Sequence, residues 1–324
     1  MTDTGPLFVS SGDLIADRRY KWALDHAARG DFAGAADVLA QTLELAPGFA
    51  TAWFALGAIR DRLGDRSGAI AAFGKARDAD PQDYHGARLQ LARLGAGEAT
   101  PAMTDAYVRR LFDQYAARYD TALTERLHYR GPTLLLAAVE TVTAAAGRPL
   151  HFGSMLDLGC GTGLAGSAFR PVVDRLVGAD LSPAMVAQAA AKGIYDDLAT
   201  AGIADFLARE AANGVRYDFI LAADVFVYVN DLAPIFAGAA RVLAPDGIFA
   251  FTVETHSGTG VTLLPTLRYA HAEACVRDAL RGAGLEPVHF AAGSVRSEKG
   301  EPVESLIVVA QASTARHAAA TSAA

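Results

Sequence analysis

The chain has 324 residues with 52% hydrophobic and 20% charged side chains, enough apolar content for two packed units. Its formal net charge of −7, with no lysine or arginine run, disfavours a phosphate-binding surface, so no nucleic-acid partner is expected. Two cysteines, Cys160 and Cys275, give neither a disulfide framework nor a metal spacing, and no apolar run spans a bilayer. With no secretory pattern at the N-terminus, a soluble, cytoplasmic chain without a membrane partner is expected.

Residues 1–16 read as a flexible N-terminus. Two stretches then superpose when shifted by 34 residues. Gly30-Asp31 recurs as Gly64-Asp65, Ala35 as Ala69, Leu39 as Phe73 and Pro47 as Pro81. Glycine opens the turn between antiparallel helices, alanine lets them approach, and a bulky residue one turn later fills the interface. Proline stops the second helix. Trp53, Leu56 and Gly57 complete the second copy, with Trp22 and Ala23 at the last two places in the first. The run Asp83–Leu94 reads as one closing helix. This pattern resembles tetratricopeptide (TPR) repeats, two of them plus the closing helix, over residues 17–96. The resemblance implies a short concave face for a protein partner or for self-association. A pair of helical hairpins that only buries surface would read the same way. Leu94–Pro101, small and Gly-containing, reads as a hinge, and residues 312–324 as a disordered tail.

Residues 97–311 form the second expected domain, opened by a helix over 104–120. Further on, apolar runs at Ser154–Leu158, Arg175–Ala179, Phe219–Ala223, Ile248–Val253, Pro287–Ala291 and Ser305–Ala310 are strand candidates. Alanine-rich helices such as Pro183–Lys192 and Leu232–Leu243 lie between the earlier ones. That alternation predicts an α/β fold, a doubly wound and mainly parallel sheet covered on both faces. Ligands bind such sheets at the carboxyl ends of the strands.

The segment Leu156-Asp157-Leu158-Gly159-Cys160-Gly161-Thr162-Gly163 runs a buried strand into a turn with three glycines, and a helix follows. Such a turn admits a ligand close to its backbone and tolerates positive φ. Gly161 to Gly166 also form a GxGxxG, the pattern of nicotinamide-dependent oxidoreductases. Two acids redirect the reading. Asp157 stands before the first glycine, where a pyrophosphate would be repelled and an ammonium welcomed. Asp180 ends the next strand, suited to ribose hydroxyls.

Asp-x-Gly-x-Gly-x-Gly followed by that second acid resembles the class I S-adenosylmethionine-dependent methyltransferases. More narrowly, the chain is similar to bacterial predicted methyltransferases that carry TPR repeats ahead of this domain. Leu111 to Asp120, Ala222 to Tyr228 and Arg268-Tyr269-Ala270-His271 echo their pattern. The resemblance implies a Rossmann-like, seven-stranded sheet with S-adenosylmethionine as cofactor. Asp157, Gly159, Cys160 and Gly161 would hold its methionine part, Asp180 its ribose, and Leu181 would lie against adenine. At the third strand, where relatives often place an acid, Ala201, Gly202 and Ile203 stand instead. Either a backbone group there meets the adenine or Asp205 reaches in. Asp224, ending the fourth strand, would lie beside the cofactor unless it only caps a loop. Tyr115 and Tyr119 share a face with Phe112 and would either close over the cofactor as a lid or pack the first helix.

Methyl transfer from a sulfonium is mostly a matter of alignment and dryness, and a base is needed only where the acceptor must lose a proton. Candidates for that base are His256, His271 and Glu254, each of which could equally brace the structure, and Tyr228 and Arg268 would shape the acceptor pocket. Asp224-Val225-Phe226 lacks the prolines of adenine-N6 and cytosine-N4 enzymes, and neither cysteine follows a proline as cytosine-C5 enzymes require. A small-molecule acceptor is the leading expectation, with a protein docked on the repeats as the alternative.

Overall fold

The computed structural model describes residues 7–97, 102–121, 123, 127–298 and 300–312. The expected tail beyond Ala312, and the end of the hinge at 98–101, lie outside them. The chain divides into two compact units, Met1–Arg110 with Leu263–Leu267, and Leu111–Thr262 with Arg268–Ala324.

The first unit is helical: α1 (Leu14–Ala28), α2 (Phe32–Leu45), α3 (Ala50–Arg62), α4 (Arg66–Ala79) and α5 (Ala87–Arg93). The repeated Gly-Asp pair does two jobs. Gly30 and Gly64 take φ of +83° and +79°, which ends one helix, and Asp31 and Asp65 then cap the next. Asp31 accepts the Gly34 N–H at 2.9 Å and Asp65 the Gly68 N–H at 2.8 Å. Ala35, Ala69, Leu39 and Phe73 are buried, as their places in the repeat require. Gly57 is needed for packing, because a β-carbon there would lie 2.7 Å from the Phe73 ring. Trp22, at the place of buried Leu56, is 56% exposed, and Tyr20 fills the core of the first repeat instead.

The closing helix starts later than its sequence suggests. Gly86 takes a φ of +74°, which no helix interior allows, so α5 begins at Ala87. Buried Asp83 accepts the Ala87 N–H at 2.7 Å. Residues 7–11 run beside α1 and α3, where the Val9 N–H meets the Thr51 hydroxyl at 3.1 Å and the Phe8 and Tyr20 ring centroids are 5.5 Å apart.

The second unit is entered through α6 (Asp105–Tyr115), one 3-10 turn, and the short α7 (Tyr119–Thr121), so the helix expected over 104–120 is broken at Ala116. Its strands are β1 (Phe152–Leu158), β2 (Val173–Asp180), β3 (Asp197–Thr200), β4 (Tyr217–Ala222), β5 (Leu243–His256), β6 (Val261–Leu263), β7 (Tyr269–Ala272), β8 (Leu285–Glu298) and β9 (Glu301–Ala312). Strands β3-β2-β1-β4-β5 are parallel, and β9 and then β8 follow antiparallel, which makes the seven expected strands. Two short strands are added: β7 pairs with the tip of β5, and β6 lies beside β7.

Alternation along the strands feeds two cores. Leu156, Leu158, Phe249 and Phe251 pack on one face with α11 (Ile203–Ala212), α12 (Ala233–Val242) and α13 (Glu273–Gly282). Met155, Ile248, Ala250 and Val309 pack on the other with α8 (Gly131–Ala145) and α9 (Leu164–Phe169). One further helix, α10 (Pro183–Ala191), follows β2. Chain order reverses between β1 and β4, so the loops leaving their carboxyl ends diverge and open a crevice. Among the described residues no helix is long and apolar enough to cross a membrane.

Gly57→Ala should lower the stability of the first unit by roughly 1–3 kcal/mol, read as a lower urea midpoint of its transition. Gly74→Ala is the control. Nothing lies within 4 Å of its would-be β-carbon, so it should be neutral or stabilising.

Candidate active site

The glycine turn is fastened to the end of β2. The N–H groups of Gly159 and Cys160 donate to the Ala179 carbonyl at 2.8 and 3.0 Å. Gly161 N–H donates to Asp180 Oδ2 at 2.9 Å, and Ser182 N–H to Oδ1 at 2.8 Å. Burial raises the Asp180 pKa, opposed by the N–H groups of Ser182 and Gly161. Gly159, Gly161 and Gly163 all take positive φ. A β-carbon on Gly161 would meet only the Tyr119 ring, 3.9 Å away, so this face of the turn is bare. Cys160 is buried beside it.

Sequence reasoning missed Tyr195. Beta-carbons on Gly163, Gly166 and Gly178 would fall 2.9, 2.2 and 2.8 Å from atoms of this one side chain. Three glycines therefore make room for a tyrosine. The last glycine of the GxGxxG makes room for this ring. The available signal was Gly178, a glycine inside a buried strand, which announces the close approach of another group.

The tyrosine hydroxyl donates to Asp157 Oδ2 at 2.7 Å. Asp157 is only 1% exposed, and this hydrogen bond ties it to the glycine turn from behind. Burial pushes its carboxyl up to about 7. The Tyr195 hydrogen bond and the Gly166 N–H work against that, and Asp180 adds to it.

The segment ahead of α8 is stapled over the turn. Thr162 donates to Asp120, Lys192 Nζ sits 2.8 Å from Asp120, and Ser182 donates to Asp113 at 2.6 Å. Tyr115 is buried with Ala116 and Met185, so it packs the helix, while Tyr119 faces the bare side of Gly161. The Phe112 ring lies edge-on to Tyr119 at 5.9 Å and to Tyr228 at 5.1 Å. Leu181 is half-buried directly after Asp180. Gly202 is the residue before α11, and the Ile203 side chain turns into the core. Asp205 is exposed in the first turn of α11. The neighbouring Ala201 N–H donates to the Asp180 carbonyl at 2.9 Å.

Beyond β4 and β5 lies a buried ionic network. Asp224 has a φ of +59°, and its N–H donates to the Thr252 hydroxyl at 2.8 Å. Its carboxylate meets Arg296 Nη1. Arg296 Nη2 is 2.6 Å from Glu254 and Nε 3.2 Å from Glu298, which also pairs with buried Arg268. Burial alone would pull the Arg296 pKa down, but Asp224 and Glu254 outweigh it and hold the group charged. Glu254 is raised by burial, against the pull of Arg296 and Arg268. Glu254 is thus engaged by a guanidinium, and Arg296 is a second residue the sequence did not flag.

The two histidines are placed differently. His271 is buried on β7 with Nε2 3.0 Å from the Val229 carbonyl, and burial lowers its pKa. A neutral ring donating to that carbonyl braces the turn after β4. His256 accepts the Gly258 N–H at 3.1 Å and lies 3.3 Å from the Gly260 carbonyl, holding its own loop.

Residues 156–251 match the methyltransferase domain family, and residues 26–94 the tetratricopeptide repeat. Methyltransferase-like protein 27 of Homo sapiens is 31% identical over 201 residues, which cover 60% of this chain and 73% of that protein. In fold the chain is similar to Burkholderia thailandensis 1,6-didemethyltoxoflavin-N1-methyltransferase, at 20% identity and a TM-score of 0.48, over 64% of this chain and 87% of that one. It is also similar to the N-methyltransferase NodS of Bradyrhizobium japonicum, at 16% identity and a TM-score of 0.48, over 62% and 96%.

The Asp157 pKa of about 7 lies above its unfolded value near 3.8, so the folded chain holds that proton more tightly. This contribution to stability is complete below pH 3.8 and is lost as pH rises through about 7. Urea unfolding at pH 5 and pH 8 should show a smaller loss in Asp157→Asn than in the parent. Tyr195→Phe strips the buried carboxyl of its side-chain donor and should cost about 1–3 kcal/mol.

Proposed function

Because the chain belongs to the class I S-adenosylmethionine-dependent methyltransferases, we propose that its methyl acceptor is a small molecule, bound where β4 and β5 end. The observation that carries this reading is the burial of the polar groups there. Glu254, Arg268 and Arg296 lie inside the protein, and rings of Phe112, Tyr119 and Tyr228 crowd the same end, which suits a compact, enclosed acceptor.

The residues present fit the cofactor. The bare face of Gly161 is a cradle that a β-carbon would fill, and Asp180 is already oriented by two backbone N–H groups. Gly159, Cys160 and Gly161 would carry the methionine part, with Asp157 and Tyr195 fixing the turn behind them. Asp180 would accept from the ribose hydroxyls, Leu181 would cover one adenine face, and Gly202 and Ile203 would offer backbone to its edge. Tyr119 would close the site and Asp224 would face the reacting end. When bound, S-adenosylmethionine supplies an activated methyl on a sulfonium. The chain contributes alignment and exclusion of water. Neither histidine is proposed as a base, since both rings are committed to loops or buried carbonyls.

A second reading, a protein recruited by the repeats or a second copy of the chain, is favoured by one feature. Leu14, Ile15 and Trp22 of α1 are 78%, 61% and 56% exposed, an unusual amount of apolar surface for one helix. Ile15→Glu with Trp22→Glu should abolish any self-association seen by sedimentation, and unchanged sedimentation would remove that role.

Calorimetric titration should show binding of S-adenosylmethionine and its homocysteine product and none of NADH. Asp180→Ala should weaken that binding by roughly 1–3 kcal/mol, the range for charged hydrogen bonds. Full affinity in the variant would take Asp180 out of the ribose role. Labelled cofactor incubated with cell extract should place label in small metabolites, and label confined to protein would reverse the choice of acceptor.

A further inference from the structure

We propose that residues 7–11 are an internal ligand, seated in a peptide groove of the helical repeats and displaceable by a partner peptide of like chemistry. The proposal stands apart from the choice of methyl acceptor, because every residue it uses lies in the first unit.

The repeat itself marks the groove. Asp17, Thr51 and His85 stand 34 residues apart, so they hold one equivalent place in the two repeats and at the entry to α5. Each meets the same short segment. Asp17 Oδ1 accepts the Ser11 N–H at 2.9 Å and the Ser11 hydroxyl at 2.7 Å, while Oδ2 accepts the Ser10 hydroxyl at 2.5 Å. The Thr51 hydroxyl accepts the Val9 N–H at 3.1 Å and lies 3.0 Å from the Val9 carbonyl. His85 Nε2 is 3.0 Å from that hydroxyl, and the ring also bonds the Leu7 backbone. Ser11, Val9 and Leu7 thus meet Asp17, Thr51 and His85 in turn. A step of two residues per repeat is the step of an extended chain, whose alternate residues face one side.

The segment sits as a bound peptide does, on the surface and held by its backbone. Phe8 and Val9 remain 39% and 41% exposed although Thr51 engages both backbone groups of Val9. Phe8 lies 5.5 Å from the Tyr20 ring and 6.2 Å from that of Phe49, with Lys21 Nζ 5.8 Å over its face. Gly12, with a φ of +82°, turns the chain from the segment into α1.

The fit is incomplete at one point. The Tyr20 hydroxyl is buried and has no hydrogen-bond partner among the described residues. An unsatisfied buried hydroxyl is costly, so a ligand that brings an acceptor to it gains over the resident segment. Backbone bonds to Thr51 are blind to sequence, so side chains choose the partner. The partner is an unfolded stretch of protein with an aromatic residue at the Phe8 place and a hydroxyl residue at the Ser11 place. Until it arrives, tethering keeps the resident segment at an effective concentration on the order of millimolar and closes the groove.

Two measurements on the full chain test this. In the first, a fluorescein-labelled peptide copying residues 7–13 is titrated by anisotropy. It should bind the double variant Phe8→Ala with Val9→Pro about tenfold more tightly than the parent, whose own segment competes. Adding Thr51→Val should abolish that binding, and Asp17→Asn decides if Thr51→Val loses its helical signal in circular dichroism. Equal affinity for parent and opened variant, no binding to either, or binding that survives Thr51→Val overturns the proposal and leaves the methyl-transfer reading untouched.

In the second, hydrogen exchange of the Val9 and Ser11 amides is followed in the parent. Both should be protected, and an excess of unlabelled peptide should remove the protection. Protection that persists at saturating peptide makes the segment a fixed part of the fold and overturns displacement. Protection that falls on dilution, as a dimer dissociates, assigns the groove to a second copy and overturns it too.

Discussion

The second unit depends on one contact, the Tyr195 ring seated where three glycines carry no side chain, with its hydroxyl on Asp157. A loop of positive-φ glycines has little to hold it, since each glycine adds backbone entropy to the unfolded chain. The tyrosine supplies the missing rigidity from behind, and Asp180 supplies it from the side by taking the Gly161 N–H. The open face is then left without side chains, and that bareness is what a bulky nucleoside needs. Gly163, Gly166 and Gly178 make room for the brace, and Gly161 leaves the other face open.

Much of this was legible in the sequence because the determinants are local. The strand and the glycine turn are contiguous, the acid ending β2 comes with the very next strand, and the helical repeat announces itself by period. Strands β1, β2, β4 and β5 and the two antiparallel ones carried apolar runs long enough to be placed, whereas the four-residue β3 did not. The short β6 and β7 did not, since a strand of three or four residues has no period to read. Asp157 stands out in the sequence, but its partner does not, because Tyr195 lies 38 residues away and nothing local marks it. The same holds for Arg296, which meets Asp224 across 72 residues of chain. Contacts of that range depend on the closed sheet, and a single sequence records only the residue types they join.

The Arg296 network shows how position changes the meaning of a residue. Glu254 read as a candidate base, yet its guanidinium partner, brought in by the antiparallel β8, makes it part of a fixed ionic lattice. Breaking one member would leave a buried charge without its counterpart, the most damaging outcome for an interior ion pair. His271 tells the complementary story. A histidine near the chemistry invites a catalytic role, but burial keeps it neutral, and its proton is given to the turn that shapes the crevice.

Cys160 stands in the middle of the glycine turn, where a reactive sulfur would be a liability. Burial holds its thiol well above the ordinary range, and the nearby Asp157 and Asp180 charges push the same way. The thiolate, the form that alkylating agents and peroxides attack, is therefore kept scarce at neutral pH. The burial that stiffens the turn thus also disfavours the form of its sulfur that oxidants attack.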